Sequence, residues 1–166
     1  GCGGVIFTPW LHGNRCPFED PNARGMFFNI SLETGKTELI RAVVEGTCMH
    51  LRWFLETEDK KTKTSDVLRF VGGGALSDVT CQILADCTGR TVEVVASPQN
   101  VGAVGAAVIS AVGLGMIGSI EEAKKLVPAK KTFIPNPSLK PIYDKNFAVF
   151  KNLYKSNKEN FEALNG

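Results

Sequence analysis

The sequence predicts an α/β domain built from parallel strand–helix units and closed by a C-terminal amphipathic helix. Three observations carry this. Two short β-rich runs, 67–71 and 91–95, are each followed by a helical pattern. A glycine turn, Gly72-Gly73-Gly74-Ala75, separates the first run from its helix. The final stretch, near 144–164, repeats aromatic and aliphatic residues at helical spacing. Strands alternating with helices are the signature of a parallel sheet, which takes ligands at the carboxyl ends of its strands.

In chain order, Val5-Ile6-Phe7 reads as a short strand entering a proline-punctuated loop, and Phe18-Glu19-Asp20-Pro21-Asn22 as turn chemistry. The first residue is not Met, and Gly-Cys-Gly-Gly runs directly into the strand-like segment, an opening expected of a piece of a longer chain. Apolar residues from Leu39 to Leu55 predict a helix over 37–56, with Thr37 as N-cap and Glu38 in the first turn. Its end is the charged run Glu56 to Lys63, a solvated loop. After the glycine turn, Ser77 or Asp78 caps a helix to Cys87, with Gly89 as its stop. Leu76 and Cys81 stand at hydrophobic-staple spacing.

Residues 101–118 contain no charge. They are dominated by Gly and Ala, and the small residues share one helix face, so they read as a buried helix rather than a membrane span. Ser119-Ile120-Glu121-Glu122 has capping-box spacing and starts a short helix ahead of Pro128. A proline-rich connector then leads to the last helix.

Composition excludes several classes. The apolar share is 43%, the charged share 22% and the net charge +2, with lysines scattered along the chain. That balance gives no basic stripe for nucleic acid. The five cysteines form no C-x-x-C pair, which points to a reducing, cytoplasmic setting. His12 and Cys16 lack the further ligands a zinc site needs. Two motifs are decoys. Gly35-Lys36-Thr37 ends like a phosphate loop, but Ile30 stands where the first glycine belongs. Residues 113–118 spell G-x-G-x-x-G but follow a helix, where a dinucleotide fingerprint must leave a strand.

The Gly72–Ala75 turn has the right context. Without Cβ atoms its backbone lets a ligand approach closely, with N–H groups free at a helix start. Ser77, Asp78 and Gln82 are candidates to hydrogen-bond a base or ribose. The alternative is a tight turn in which Ser77 and Asp78 only cap the helix.

The segment Gly72 to Ser77 with Gln82-Ile83-Leu84-Ala85-Asp86 and Thr88-Gly89-Arg90 resembles the adenine-nucleotide segment of the FGGY carbohydrate kinases. Further likenesses follow in order. Thr8 to Arg15 and Asp20 to Gly25 resemble the loop entering the family's second signature, and Gly25 to Phe28 with Glu38 to Glu45 the signature itself. Gly102 to Ala107 and the tail from Tyr143 are similar as well. Three departures stand out: Asn29 for a usual glycine, Asn14 for a common acid, and Pro98-Gln99-Asn100 where a glutamate is frequent.

The resemblance implies a partial actin-like (ribonuclease H-like) ATPase domain, with residues 1–166 as the C-terminal portion of the second, nucleotide-side domain. It implies Gly72, Gly73, Gly74, Ala75, Ser77, Asp78 and Gln82 as nucleotide contacts. ATP and ADP would be partners, with Mg2+ and a pentulose handled by residues outside this chain. Such kinases can pair as homodimers. No D-x-G-[ST] segment and no aspartate matching the family's base occurs here, so no catalytic residue is assigned. A non-catalytic binding or assembly module with the same fold is the alternative reading.

Overall fold

In a computed structural model the protein is described over residues 1–166, the side chains of Ala123 and Lys124 excepted. In chain order the elements are β1 (Ile6–Thr8), β2 (Met26–Phe28), α1 (Lys36–Asp59), β3 (Val67–Arg69), α2 (Asp78–Thr88), β4 (Thr91–Val95), α3 (Val101–Gly113), α4 (Ala123–Leu126), β5 (Ala129–Phe133) and α5 (Lys140–Asn165). They fall into two compact units. One comprises Gly1–Ser65, Asp86–Gly89 and Asn136–Gly166, the other Asp66–Ala85 and Arg90–Pro135.

In the first unit, β1 and β2 pair antiparallel with Phe7 opposite Phe27. Helix α1 buries Ala42, Glu45, Gly46, Cys48 and Met49, spaced three and four apart as one helix face requires. Gly46 is fixed by close approach, because a Cβ there would stand 2.1 Å from the Phe7 carbonyl oxygen. The N-cap differs from expectation. Gly35, in extended conformation, is the cap, and its N–H donates to Glu38 Oε2 at 3.0 Å. Thr37 lies inside the first turn, because the Glu38 carboxylate reaches the earlier residue.

The aromatic centre of this unit is Trp10, 1% exposed. Phe18, Phe150 and Tyr154 surround it with ring centroids at 5.3, 5.5 and 5.7 Å, within the range of edge-to-face packing. Its indole N–H donates to His50 Nδ1 at 3.4 Å. Burial holds the His50 imidazole below its ordinary pKa, against a hydrogen bond to the Cys16 backbone. Among the buried polar residues of this unit, the Glu45 carboxylate is fully enclosed. It accepts from Arg41 Nε at 2.7 Å, from the Tyr143 hydroxyl at 3.1 Å and from the Cys2 thiol at 3.3 Å. Burial pushes the Glu45 carboxyl up, but the Arg41 guanidinium, the charge of the Gly1 amino group and the Cys2 thiol outweigh it and hold the group below the usual carboxylate value. The same burial and the nearby Glu45 charge lift the Cys2 thiol to about 11.

In the second unit, β3 and β4 pair in parallel, with Leu68 opposite Val92, and α2 is the crossover between them. The expected strand–helix–strand unit is therefore present. Ser77 caps α2, its hydroxyl oxygen accepting the Thr80 N–H at 3.3 Å, and Gly89 ends it at φ 70°. Two expectations fail here. Leu76 is 61% exposed, so no staple forms; the Cys81 thiol instead donates to the Ala75 carbonyl at 3.6 Å. The stretch read as connector contains β5, antiparallel on the far side of β4 with Phe133 opposite Val92. The helix expected at Ser119 begins as a single 3-10 turn, Ile120–Glu122, and the Glu122 carboxylate accepts from the Gly118 N–H rather than from Ser119. α5 starts earlier than expected, at Lys140, with Pro141 in its first turn.

Helix α3 also departs from expectation. It forms where the sequence places it, yet none of its residues is buried, and Ile109 is 66% exposed. Small residues permit close packing only where an element lies against them, and here Val101, Gly105, Val108, Ala111 and Val112 are only half-buried while the other faces are exposed.

Two predictions follow from the first unit. Glu45→Ala leaves the buried Tyr143 hydroxyl without its acceptor, while the Cys2 thiol keeps the Val5 carbonyl at 3.0 Å and half-exposed Arg41 rehydrates; the expected loss is about 1–3 kcal/mol in urea unfolding, and a loss below about 0.5 kcal/mol would contradict the network's role. His50 titrates lower in the folded than in the unfolded chain, so below about pH 6.5 the unfolded state binds more protons and stability falls with falling pH. This loss begins as pH drops through 6.5 and is complete below the folded pKa. His50→Gln should flatten that part of the pH–stability curve.

Candidate functional site

The glycine turn sits at the carboxyl end of β3, and the pairing of β3 with β4 positions it. The Phe70 N–H donates to the Glu93 carbonyl at 3.0 Å, extending the ladder past β3. Gly72 then takes φ 88° and ψ −170°, a conformation open essentially to glycine alone. Its N–H donates to the Pro98 carbonyl at 2.9 Å, which ties the loop leaving β3 to the loop leaving β4. Residues Gly73–Leu76 form one 3-10 turn, with the Ala75 N–H returning to the Gly72 carbonyl at 3.2 Å. Gly74 is held by contact, since a Cβ there would come within 3.0 Å of the Phe70 ring. At Gly73 an added Cβ would meet nothing within 4 Å. Open space thus faces the backbone at the start of the turn.

Two concavities border the turn. One, of about 240 Å³, is lined by Ala75, Val95, Ser97, Gln99, Lys130 and Lys131 among others. The second, wider and apolar, includes Gly72, Gln99, Gly102, Gly105, Ala106 and Ile109. Gly72 and Ala75 of the anticipated residues therefore line a concavity. Ser77, Asp78 and Gln82 are engaged elsewhere on α2. Ser77 caps the helix, and the Asp78 carboxylate pairs with Lys131 Nζ at 2.7 and 2.9 Å. Gln82 Nε2 donates to the Ile134 carbonyl at 2.9 Å. The Asp78–Lys131 pair is more than half exposed on both sides, so it contributes little to stability.

Sequence reasoning missed the second wall. Ser97 takes φ 50°, a left-handed conformation uncommon outside glycine and asparagine, and the following turn Pro98–Asn100 leads into α3. The Ser-Pro dipeptide was the available signal for a turn. Its place beside Gly72 depends on the parallel register, which no local pattern reveals. Burial, reinforced by Asp78, pushes the Cys81 thiol up, so this cysteine beneath the turn is held as a neutral thiol rather than a nucleophile. Among the described residues no group of three or more His, Cys, Asp or Glu could hold a metal ion, and no helix is long and apolar enough to cross a membrane.

Residues 1–114 match the model of the FGGY family of carbohydrate kinases, C-terminal domain. The xylulose kinase of Lactococcus lactis subsp. lactis is 34% identical over 162 residues, covering 96% of this chain and 32% of that protein. Two solved structures from Lactobacillus acidophilus, a gluconate kinase and a ligand-bound xylulose kinase, each superpose with a TM-score of 0.89 at 27% identity and cover 99% of this chain. They cover 33% and 34% of those chains, so this chain spans about a third of the relatives it matches. The α/β architecture is the actin-like one of these kinases. With the family model matching 114 residues from the first strand into α3, the chain belongs to the FGGY family of carbohydrate kinases, in its C-terminal domain.

Proposed function

We propose that this chain is the nucleotide-side portion of an ATP-dependent carbohydrate kinase, with residues 1–166 forming the C-terminal part of the enzyme's second domain. The observation that carries the reading is the glycine turn. It lies at the carboxyl end of a parallel strand, and open space faces the backbone at Gly73. The first N–H groups of a helical turn have no acceptor within it, so Gly73 and Gly74 offer donors to an anionic or polar ligand. Gly72, Gly73, Gly74 and Ala75 would form the backbone wall against the nucleotide. Ser77, Asp78 and Gln82 would stand beside it, released from their present partners where the ligand competes for them.

The sugar is proposed to be D-xylulose, giving xylulose 5-phosphate and ADP. Support comes from relatives named xylulose kinase, of which that of Bacillus subtilis is 30% identical over 165 residues. Phosphoryl transfer depends on in-line positioning and on metal neutralising the phosphate charge. Mg2+ would supply that neutralisation when bound. Its ligands, the sugar contacts and the general base are assigned outside residues 1–166, in the parent polypeptide. A cytoplasmic location fits the reading, and a homodimeric parent is compatible with it.

Two outcomes test this. The 166-residue chain alone should not phosphorylate xylulose with ATP in a coupled ADP-release assay, and turnover above the uncatalysed rate would overturn the division of labour. In the parent enzyme, Gly73→Val should raise KM for ATP about tenfold or more while leaving the xylulose KM near its original value. Because a Cβ at Gly73 meets no neighbour, folding should survive the change. An unaltered ATP KM would remove Gly73 from the nucleotide wall.

A further inference from the structure

Lys130 and Lys131 are neighbours on β5, and the regular pleat sends consecutive side chains to opposite faces of a sheet. Here the pleat is broken. Val94 pairs with Lys131 and Val95 with Ala129, so Lys130 is the extra residue of a β-bulge. A bulge re-aims a side chain, and both lysines line one concavity of about 240 Å³ together with Ser97, Gln99 and Ala75. Charge on a border strand protects it from further pairing. That protection asks only for exposed charge, whereas the bulge gathers two cationic residues on one hollow.

The lining is also one-sided in its chemistry. Its polar residues carry two ammonium groups, a hydroxyl and a carboxamide, and no Asp or Glu stands among them. The Asp78 carboxylate, on α2, takes Lys131 Nζ at 2.7 and 2.9 Å. An ammonium has three donors, so Lys131 keeps capacity beyond that pair. The Lys130 ammonium has no carboxylate at ion-pair distance among the described residues. A hollow lined by one sign of charge concentrates counter-ions. Its size narrows the class further. Pockets for drug-sized ligands run to about 300–1,000 Å³, so this smaller one fits a single compact group and not a whole nucleotide.

We propose that this concavity is an oxyanion site, in which Lys130, Lys131, Ser97 and Gln99 bind a phosphate-sized dianion, either free phosphate or the phosphoryl group of a phosphorylated sugar. It adjoins the nucleotide wall at Ala75 but is separate from the open space at Gly73. Lys130 donates from the bulge, and Lys131 with the donor that Asp78 leaves over. Ser97 and Gln99 complete the shell with neutral donors. The assignment goes beyond the kinase reading and does not need it, because every residue it uses lies within one compact unit of this chain.

The test is equilibrium dialysis of the parent protein at constant ionic strength, with radiolabelled inorganic phosphate in one arm and radiolabelled xylulose 5-phosphate in the other. ADP and xylulose are present at saturation, so that the active site is filled. Saturable binding should remain, Lys130→Gln should weaken it about tenfold, and Lys130→Arg should restore it. Lys61→Gln, which removes a 73% exposed charge from the other unit, should leave it unchanged. Tighter binding in the xylulose 5-phosphate arm would name a phosphorylated sugar as the ligand, and tighter binding in the phosphate arm the free ion. Absence of Lys130-dependent binding in both arms would overturn the proposal. Equal weakening by Lys61→Gln would do the same, by reducing the effect to general charge. So would a raised ATP KM for Lys130→Gln in phosphate-free buffer, by giving the lysine to the nucleotide's own phosphates. Kinase activity is read separately. An active enzyme without the anion sinks the site and spares the functional reading, and Lys130-dependent binding in a parent that does not phosphorylate xylulose does the reverse.

Discussion

Two parallel strands cannot be joined by a hairpin, and this constraint organises the second unit. To bring β4 alongside β3 in the same direction, the chain must return over the sheet, and α2 is that return. The segment 70–77 has to turn the chain from β3 into this helix, and it does so through a 3-10 turn at Gly73–Leu76. Gly72 supplies the backbone conformation, Gly74 the clearance beside Phe70, and Ser77 the cap. Where β4 ends the chain turns again into a helix, although the next strand β5 is antiparallel, and there Ser97 adopts the left-handed conformation. The bond from the Gly72 N–H to the Pro98 carbonyl locks one loop against the other. Both lie at the carboxyl end of the pair, the end at which open α/β sheets take ligands.

What was legible in the sequence follows from which forces act locally. Val67 to Val71 mixes valines with Leu68 and Phe70, Thr91 to Val95 is largely β-branched, and both proved to contain strands, the second with its full extent. The ends of α2 were legible because a serine cap and a glycine stop act within one turn. β5 was hidden because Lys130 and Lys131 interrupt any alternation. Charged side chains on a strand at the border of a sheet are a common protection against further pairing, and they erase the hydrophobic signal that betrays inner strands. Half of the candidate site was visible for the same reason. Glycine announces itself, whereas Ser97 and Gln99 come to the turn only through the β3–β4 register.

Helix α3 separates two statements that sequence patterns merge. Apolar composition states that a segment is more stable away from water, at roughly 25 cal/mol for each Å² of apolar surface covered. It does not state that the chain in hand supplies the cover. Glu45 shows the converse in the first unit. A carboxylate on a helix face is most simply read as solvated, yet this one is enclosed because Arg41, Tyr143 and Cys2 bring three donors to it. Arg41, four residues earlier on the same helix, is readable from the helix alone, but Tyr143 and Cys2 are not, for Tyr143 is 98 residues away along the chain.

The departures from the family pattern take on a different meaning once geometry is known. Asn29 stands where glycine is usual, and its backbone has φ 66°. That left-handed conformation is costly for most residues and least so for glycine, with asparagine next because its short amide can bond locally. Here the amide Nδ2 donates to the Gly4 carbonyl at 3.2 Å, just before β1. The position therefore demands a backbone conformation, and asparagine satisfies it. Asn14, where an acid is common, has a similar local task. Its Nδ2 donates to the Phe18 carbonyl at 2.7 Å and to the Cys16 carbonyl at 3.1 Å, while its backbone exchanges bonds with Asp20. A carboxylate could not donate either side-chain bond. Both substitutions thus brace the chain around β1 and β2, and neither side chain's bonding, as it stands, carries information about which sugar the parent enzyme phosphorylates.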